Sequence, residues 1–524
     1  MNLLKAGALV SMSAAAVTAF AKEKQPNILF IFSDDHAVKS ISAYDGSLNQ
    51  TPGIDRIAKE GAIFKNNFCA NSICAPSRAC ILTGKHSHVN GQLGNWVKFD
   101  GSQFTFPQLM QKNGYATALI GKWHLKSNPT GFDKWMIYPG QGRYYNPDYI
   151  TPQGKKQLMG YSVDVTTDLS IEWMKAQQKA GKPFVMMCQY KAPHRTWSPA
   201  PRFLTKYDDV TFPVPETFYD NFEGRNSDLP NHKMGIAKHM RMGYDLKVPQ
   251  SMDNDKGIFE MPRMTPEQKA AWKKAYDPKN KAFFEAQLSG KELAEWKYQR
   301  YIKDYLRCVA AVDENVNRLQ DFLKESGLEE NTIVIYSSDQ GFYLGEHGWF
   351  DKRWMYEESF RMPLVMKWPG KIKPGTVVQK LTQNIDFAPT FLEACNIPIP
   401  EEVQGKSLLP IVTKTDKTVK WRDALYYHYY DSPSEHGVAF QEGVRTDRYK
   451  LIRFYELDQW ELYDLKVDKN ETKNLYDNPE YSEIQAMMKK KLEEVKKQYG
   501  AKYDLKNPHP NIKKQIEKKK NNKK

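Results

Sequence analysis

Cys74 is the residue around which chemistry can be built. It lies in Cys74-Ala75-Pro76-Ser77-Arg78, with Thr83-Gly84 following after a short spacer. Proline is accepted in the first turn of a helix, so Pro76 predicts a helix that starts just after Cys74 and aims free backbone N–H groups at the thiol and at an arriving oxyanion. Arg78, one turn on, can hold that side chain or neutralise negative charge beside it. Asp34-Asp35 and Asp339-Gln340 offer the oxygen ligands that a hard divalent cation prefers, although an acidic pair at a strand end is, taken alone, more often a solvated cap. Lys122, His124, His194 and Lys352 supply the positive charge and donors that a tetrahedral oxyanion requires. Each of them in isolation reads as a surface lysine or a structural histidine.

These residues are far apart in the chain, so strands must gather them. The continuous apolar run 27–33 predicts a buried strand ending on Asp34-Asp35. Segments 115–120 and 184–188 predict further inner strands, followed by Lys122 with His124 and by His194. Segment 332–336 predicts another, which releases Ser338-Asp339-Gln340-Gly341. Thr51-Pro52 opens a helix with Ile54, Ile57 and Ala58 at helical spacing, and 262–322 is helical in composition, with Tyr305, Val309, Val312 and Val316 on one face. This alternation predicts an α/β architecture with a large central sheet and the active residues above its carboxyl edge. The pattern breaks between 410 and 420. Beyond it, 438–444, 449–455 and 460–464 predict short antiparallel strands and 480–499 a helix, a small α+β subdomain. The expected division is 22–415, 416–510 and a lysine-rich tail 511–524, with surface excursions over 147–160 and 199–249.

A chain of 524 residues, 40% apolar and 13% aromatic, can bury a large core. Residues 1–21 combine Lys5, an apolar run and the ending Ala19-Phe20-Ala21, the pattern of a secretory signal peptide. Ser11, Ser13 and Thr18 interrupt it too often for an anchor, which asks for about 20 apolar residues. Export to the periplasm without stable membrane insertion is therefore expected. The net charge of +14 is no sign of nucleic-acid binding, because 513–524 holds seven lysines against Glu517, six of the fourteen charges, in a solvated tail. Six cysteines in so long a chain form no disulfide scaffold; Cys69 or Cys80 could pair or pack as small apolar residues.

The Cys74–Arg78 run with Thr83-Gly84 resembles the maturation signal of the type I sulfatases, and the likeness extends over 25–499. It implies an alkaline-phosphatase-like fold, with a large mixed central sheet flanked by helices and a smaller C-terminal subdomain containing an antiparallel sheet. It also implies oxidation of Cys74 to formylglycine by a maturation enzyme. The formylglycine hydrate supplies the attacking hydroxyl, and collapse of a sulfoenzyme intermediate to the aldehyde releases sulfate. Calcium is implied on Asp34, Asp35, Asp339 and Gln340, the last standing where the family often has Asn. By the same resemblance Lys122 and His124 belong to a G-K-W-H element, His194 to A-P-H and Lys352 to the block after G-E-H-G. His194 is then the acid that assists departure of the alcohol, and His124 takes the proton from the second hydroxyl. Phosphatases and phosphodiesterases of the broader superfamily, with Ser or Thr nucleophiles, and a noncatalytic sulfated-glycan binder are the competing classes.

The stretch from Ser338 to Glu357 resembles bacterial N-acetylglucosamine-6-sulfatases. This implies that Asp351 and Arg353 recognise the O4 side of glucosamine, with His436 near O3 unless it is an ordinary exposed loop histidine. An exo-acting enzyme on a terminal residue of heparin, heparan sulfate or a sulfated host glycan is expected; iduronate 2-O-sulfatase and N-sulfoglucosamine sulfamidase are the nearest alternatives. Tyr144-Tyr145 and the run Tyr426-Tyr427-His428-Tyr429-Tyr430 could wall a sugar site or pack in the core.

Overall fold

A computed structural model of the chain describes residues 25–413, 419–432 and 435–501, together with Lys513 and Glu517. The expected signal segment 1–21, residues 414–418 of the expected boundary and the rest of the 511–524 tail lie outside the described residues.

A ten-stranded mixed sheet forms the centre. The strand Asn27–Ser33 pairs in parallel with Phe184–Gln189 on one side and Thr332–Ser338 on the other, and Ala116–Gly121 extends the parallel set. Leu364–Lys367 then joins antiparallel to Thr332–Ser338. The apolar runs are continuous because both faces of the sheet are covered. Leu29 and Ile31 enter one core with Val334 and Tyr336, whereas Ile28, Phe30 and Phe32 enter the other with Ile333 and Ile335.

The helical region resolves into two helices, Pro266–Ala286 and Gly290–Glu325, broken at Gln287, whose φ of +46° ends the first. Tyr305, Val309, Val312 and Val316 are all buried, as the helical spacing predicts. The expected excursion over 147–160 folds into the strands Asp148–Thr151 and Gly154–Gln157, which form one edge of the sheet.

A separate four-stranded antiparallel sheet runs in chain order through Ala424–Tyr429, Gln441–Thr446, Tyr449–Phe454 and Gln459–Asp464. The helix Ser482–Tyr499 lays Met488, Leu492, Val495 and Tyr499 against it. Its first strand is the tyrosine-rich run. Tyr426, Tyr427 and Tyr429 are buried, and so are Tyr144 and Tyr145, so these aromatics pack in the core. None of the six cysteines forms a disulfide, and all are buried.

Candidate active site

Four parallel strands deliver their carboxyl ends to one place. Asp34-Asp35, Lys122, the 190–194 turn and Asp339-Gln340 each follow a strand of the central sheet. Gly121 permits the tight turn into Lys122: its φ is +113°, and a Cβ there would sit 1.8 Å from the Gln189 carbonyl oxygen. Cys74 opens the helix Cys74–Thr83 directly above. Gly84 ends this helix in the left-handed conformation, its N–H bonded to Cys80 O.

Around the thiol the charges alternate. Cys74 Sγ lies 3.6 Å from Asp34 Oδ1 and 3.8 Å from Lys122 Nζ, and Lys122 is paired with Asp34. Arg78 donates from Nε and Nη2 to Asp339 Oδ2 at 3.2 and 3.0 Å, and from Nη1 to Lys122 O and Gln189 Oε1, both at 3.0 Å. Lys352 Nζ reaches both oxygens of Asp35, at 2.6 and 2.7 Å. His194 Nε2 stands 3.7 Å from Asp35 Oδ2, while its Nδ1 is 2.7 Å from Arg195 O. A carbonyl only accepts, so Nδ1 carries the proton there and Nε2 is the nitrogen turned to the cluster. His124 Nδ1 is enclosed without a hydrogen-bond partner.

Burial pushes Asp35 up to about 7 and Asp339 to about 6; each is also raised by repulsion from Asp34, and the pull of Lys352 on Asp35 and of Arg78 on Asp339 offsets this only in part. Burial acts on Asp34 in the same direction, but Lys122, His194 and Arg78 together hold it well below the usual carboxylate range. Burial, reinforced by Lys122, lowers both His124 and His194. The Cys74 thiol is pushed up to about 12 by burial despite the neighbouring lysines, so it is protonated and a poor nucleophile at neutral pH.

The oxygen and sulfur ligand atoms of Asp34, Asp35, Cys74 and Asp339 all lie within 4.8 Å of one another. Gln340 completes the group. Its Nε2 donates to Asp35 Oδ1, and its buried Oε1 has no partner. Exchanging the two amide atoms by a flip would turn that oxygen toward the carboxylates, so the donor set fits a hard cation.

Four of the residues expected at the site hold left-handed backbone conformations that side chains other than glycine rarely adopt: Asp35 (φ +64°), His124 (+57°), Asp351 (+78°) and Arg353 (+96°). Each costs about 1–3 kcal/mol and persists only where the surroundings enforce it. Tyr305 shows how: its hydroxyl donates to Asp35 O and accepts from Ala37 N, both at 2.8 Å, and so clamps the turn.

The helix start supplies fewer donors than its sequence predicts. The Ala75 N–H donates to Asn95 Oδ1 at 3.0 Å, Pro76 has none, and the Ser77 N–H bonds back to Ile73 O. Positive charge at the nucleophile therefore comes chiefly from Lys122, Lys352 and Arg78.

Beside Lys352, Asp351 Oδ1 accepts from Arg353 Nε at 3.1 Å, and its Oδ2 lies 3.2 Å from His436 Nε2. Arg353 Nη1 donates to Tyr429 Oη at 3.2 Å, and Tyr427 Oη donates to Arg353 O at 2.7 Å. His436 is buried, with Nδ1 3.0 Å from Lys233 O, and is thus no exposed loop histidine. The 199–249 excursion that carries Lys233 clamps it.

The family model for Sulfatase matches residues 26–397, and that for the C-terminal part of N-sulphoglucosamine sulphohydrolase matches 345–498. The chain belongs to the sulfatase family. It is a sulfuric ester hydrolase related to N-acetylglucosamine-6-sulfatases. An N-acetylglucosamine-6-O-sulfatase of Bacteroides thetaiotaomicron is 44% identical over 508 residues, 95% of this chain and 91% of its own. A solved structure in complex with its substrate D-glucosamine-2-N,6-O-disulfate shares 45% identity at a TM-score of 0.88, covering 91% of this chain and 98% of that one. A phosphonate monoester hydrolase from Silicibacter pomeroyi has a TM-score of 0.69 at 20% identity over 91% of this chain and 96% of that one, a likeness of fold alone.

Several groups that build this sulfatase site carry no local signal. Gln189 receives Arg78, and Asn95 holds the start of the Cys74 helix while its own N–H donates to Asp431 Oδ2 at 3.2 Å. Lys191, lowered to about 8 by burial and by Lys122, donates to Arg195 O. Only the tertiary arrangement reveals them.

Proposed function

We propose that the enzyme removes the 6-O-sulfate from a terminal N-acetylglucosamine or glucosamine, with Cys74 acting after conversion to formylglycine by a maturation enzyme. The observation that carries this reading is the Asp351–Arg353–His436 group locked beside Lys352, in a chain 44% identical to an N-acetylglucosamine-6-O-sulfatase over nearly its whole length. Opposite charges in fixed geometry recognise sugar hydroxyls through several hydrogen bonds at once. Sulfate release from such a saccharide is the direct test.

The hydrate of the modified residue supplies the hydroxyl that attacks sulfur. Lys122 and Lys352 hold the sulfate oxygens, and Arg78 fixes Asp339. His194, held by its Nδ1–H bond to Arg195 O, turns Nε2 inward and serves as the acid for the departing sugar oxygen in its doubly protonated form, which the negative charge of a bound sulfate would favour against the burial that lowers it. His124 accepts the proton released on the other side. Catalytic residues are thus Cys74, Arg78, Lys122, His124, His194 and Lys352, and substrate-binding ones Asp351, Arg353 and His436. The 22–415 unit carries the chemistry, while 416–510 brings His436 to the pocket and holds Arg353 from behind through Tyr427 and Tyr429. Among the described residues no helix is long and apolar enough to cross a membrane, and the signal-like 1–21 segment supports export to the periplasm. An N-sulfamidase is the second reading, favoured by the sulphohydrolase C-terminal match over 345–498.

Calcium is the proposed cation on Asp34, Asp35, Asp339 and Gln340; it would orient a sulfate oxygen and favour the ionised nucleophile. Without it, Asp35 and Asp339 keep protons in the folded state that the unfolded chain releases near its ordinary value of 3.8. Their contribution to stability is present below that value and is lost as pH rises through about 6 to 7. The depressed Asp34 acts oppositely, but only below the ordinary range. Melting temperature in chelator should therefore fall between pH 5 and 8, and calcium should raise it most at pH 8. Melting curves indifferent to calcium across that range would remove the cation from the account.

A further inference from the structure

A cavity of about 460 Å³ lies on the side of the Gly290–Glu325 helix away from the cluster. Tyr301 and Tyr305 of this helix reach Tyr343 O and Asp35 O. Arg300, Lys303 and Arg307, offset from Tyr305 by about half a turn of helix, face the cavity, and Lys274 and Lys279 of the preceding helix join them. Against these five cations the cavity wall carries one carboxylate, Asp208, already paired with Lys279 at 2.6 Å and with Arg307.

Arg300 is built in rather than swung free. It is 6% exposed, its guanidinium lies 5.3 Å from the Tyr276 ring and 5.2 Å from the Trp296 ring, and Nη2 donates to Asn280 Oδ1 at 2.9 Å. Its Nη1 is buried with no hydrogen-bond partner. That N–H is sealed from solvent, so what Arg300 offers an anion in the cavity is its fixed charge. Burial also lowers Arg300, Lys279 and Lys303; repulsion from Arg307 adds to this, while Asp304 offsets it in part at Arg300 and Asp208 at the two lysines. A bound anion would relieve both effects.

We propose that this cavity is a second, noncatalytic site that takes a sulfate or phosphate group, with Lys303 and Lys274 as its donors and the fixed charge of Arg300 beside them. The group can come from another unit of a sulfated chain or from free inorganic sulfate. The inference is independent of the sugar assigned to the active site.

The test is calorimetric titration of the full-length matured enzyme with inorganic sulfate and, separately, with a sulfated tetrasaccharide from heparin. Wild-type protein should show two classes of sulfate site. The Lys274→Ala/Lys303→Ala variant should keep the active-site class and weaken the other by about tenfold or more, with turnover of a small sulfate ester unchanged. Tighter cavity binding of the tetrasaccharide than of sulfate, lost in the double variant, would assign the chain as the source; equal binding would assign free sulfate. Titrations of wild type and double variant that superimpose for both probes would overturn the site.

Discussion

Cys74→Ala protein, coexpressed with a maturation enzyme and supplied with calcium, should release no sulfate above background, a loss on the order of 10⁵-fold or more, as when a covalent nucleophile is removed. The fold should survive. Cys74 is buried, but it makes only long sulfur contacts with Asp34 and Lys122, and trimming one sulfur atom from such a position costs about 1 kcal/mol. The comparison therefore reads sulfate release beside the melting temperature. Residual turnover near the wild-type rate would exclude Cys74 as the source of the nucleophile. The unmodified wild-type protein should be nearly as inactive as the variant, because a thiol held at about 12 is protonated at neutral pH.

The second large effect is expected at Arg353. Truncation to Ala removes one partner of Asp351 Oδ1, which also accepts from the Lys352 N–H, and one contact of Tyr429 Oη, and leaves Asp351 buried with one fewer donor. For a 6-O-sulfated glucosamine the loss in kcat/KM should be about 100-fold or more, the scale of a few charge-assisted hydrogen bonds in a closed pocket. A small aryl sulfate, which offers no sugar hydroxyls, should be hydrolysed at nearly the wild-type rate, since Lys122, Lys352 and His194 are untouched. Equal losses on both substrates would show that Arg353 serves the sulfate pocket or the fold instead. Arg353→Lys should recover little, because the planar guanidinium reaches Asp351 and Tyr429 at once and its left-handed backbone (φ +96°) fixes its direction.

Much of this arrangement can be read before any coordinates. The runs at 28–32, 184–188 and 333–336 are apolar without a break because their strands are covered on both faces, and the polar residues that follow each run mark the carboxyl edge of a parallel sheet. Chemistry is legible where it sits at the end of such a run. It is illegible where a group acts only through tertiary placement. Asn95 occupies the Ala75 amide from a loop 20 residues on, so the donor count at the helix start could not be foreseen. The tyrosine run at 426–430 has the composition of a sugar wall, yet period-two alternation is hidden because both faces of its strand are buried. His436 is the opposite case, since the loop around it looks exposed in sequence and the Lys233 segment covers it. The left-handed residues Asp35, His124, Asp351 and Arg353 carry no glycine to announce the turn; the strain is held by the packed site around them.

The central claim is tested most directly by inorganic sulfate release from the matured, calcium-supplied enzyme across terminal glucosamine 6-O-sulfate, glucosamine N-sulfate, uronate 2-O-sulfate and galactose 6-O-sulfate saccharides. Selective release from the 6-O-sulfated glucosamine is the predicted result. Preferential release from any of the other three would leave the sulfatase chemistry standing and contradict the assignment of Asp351, Arg353 and His436 to that sugar.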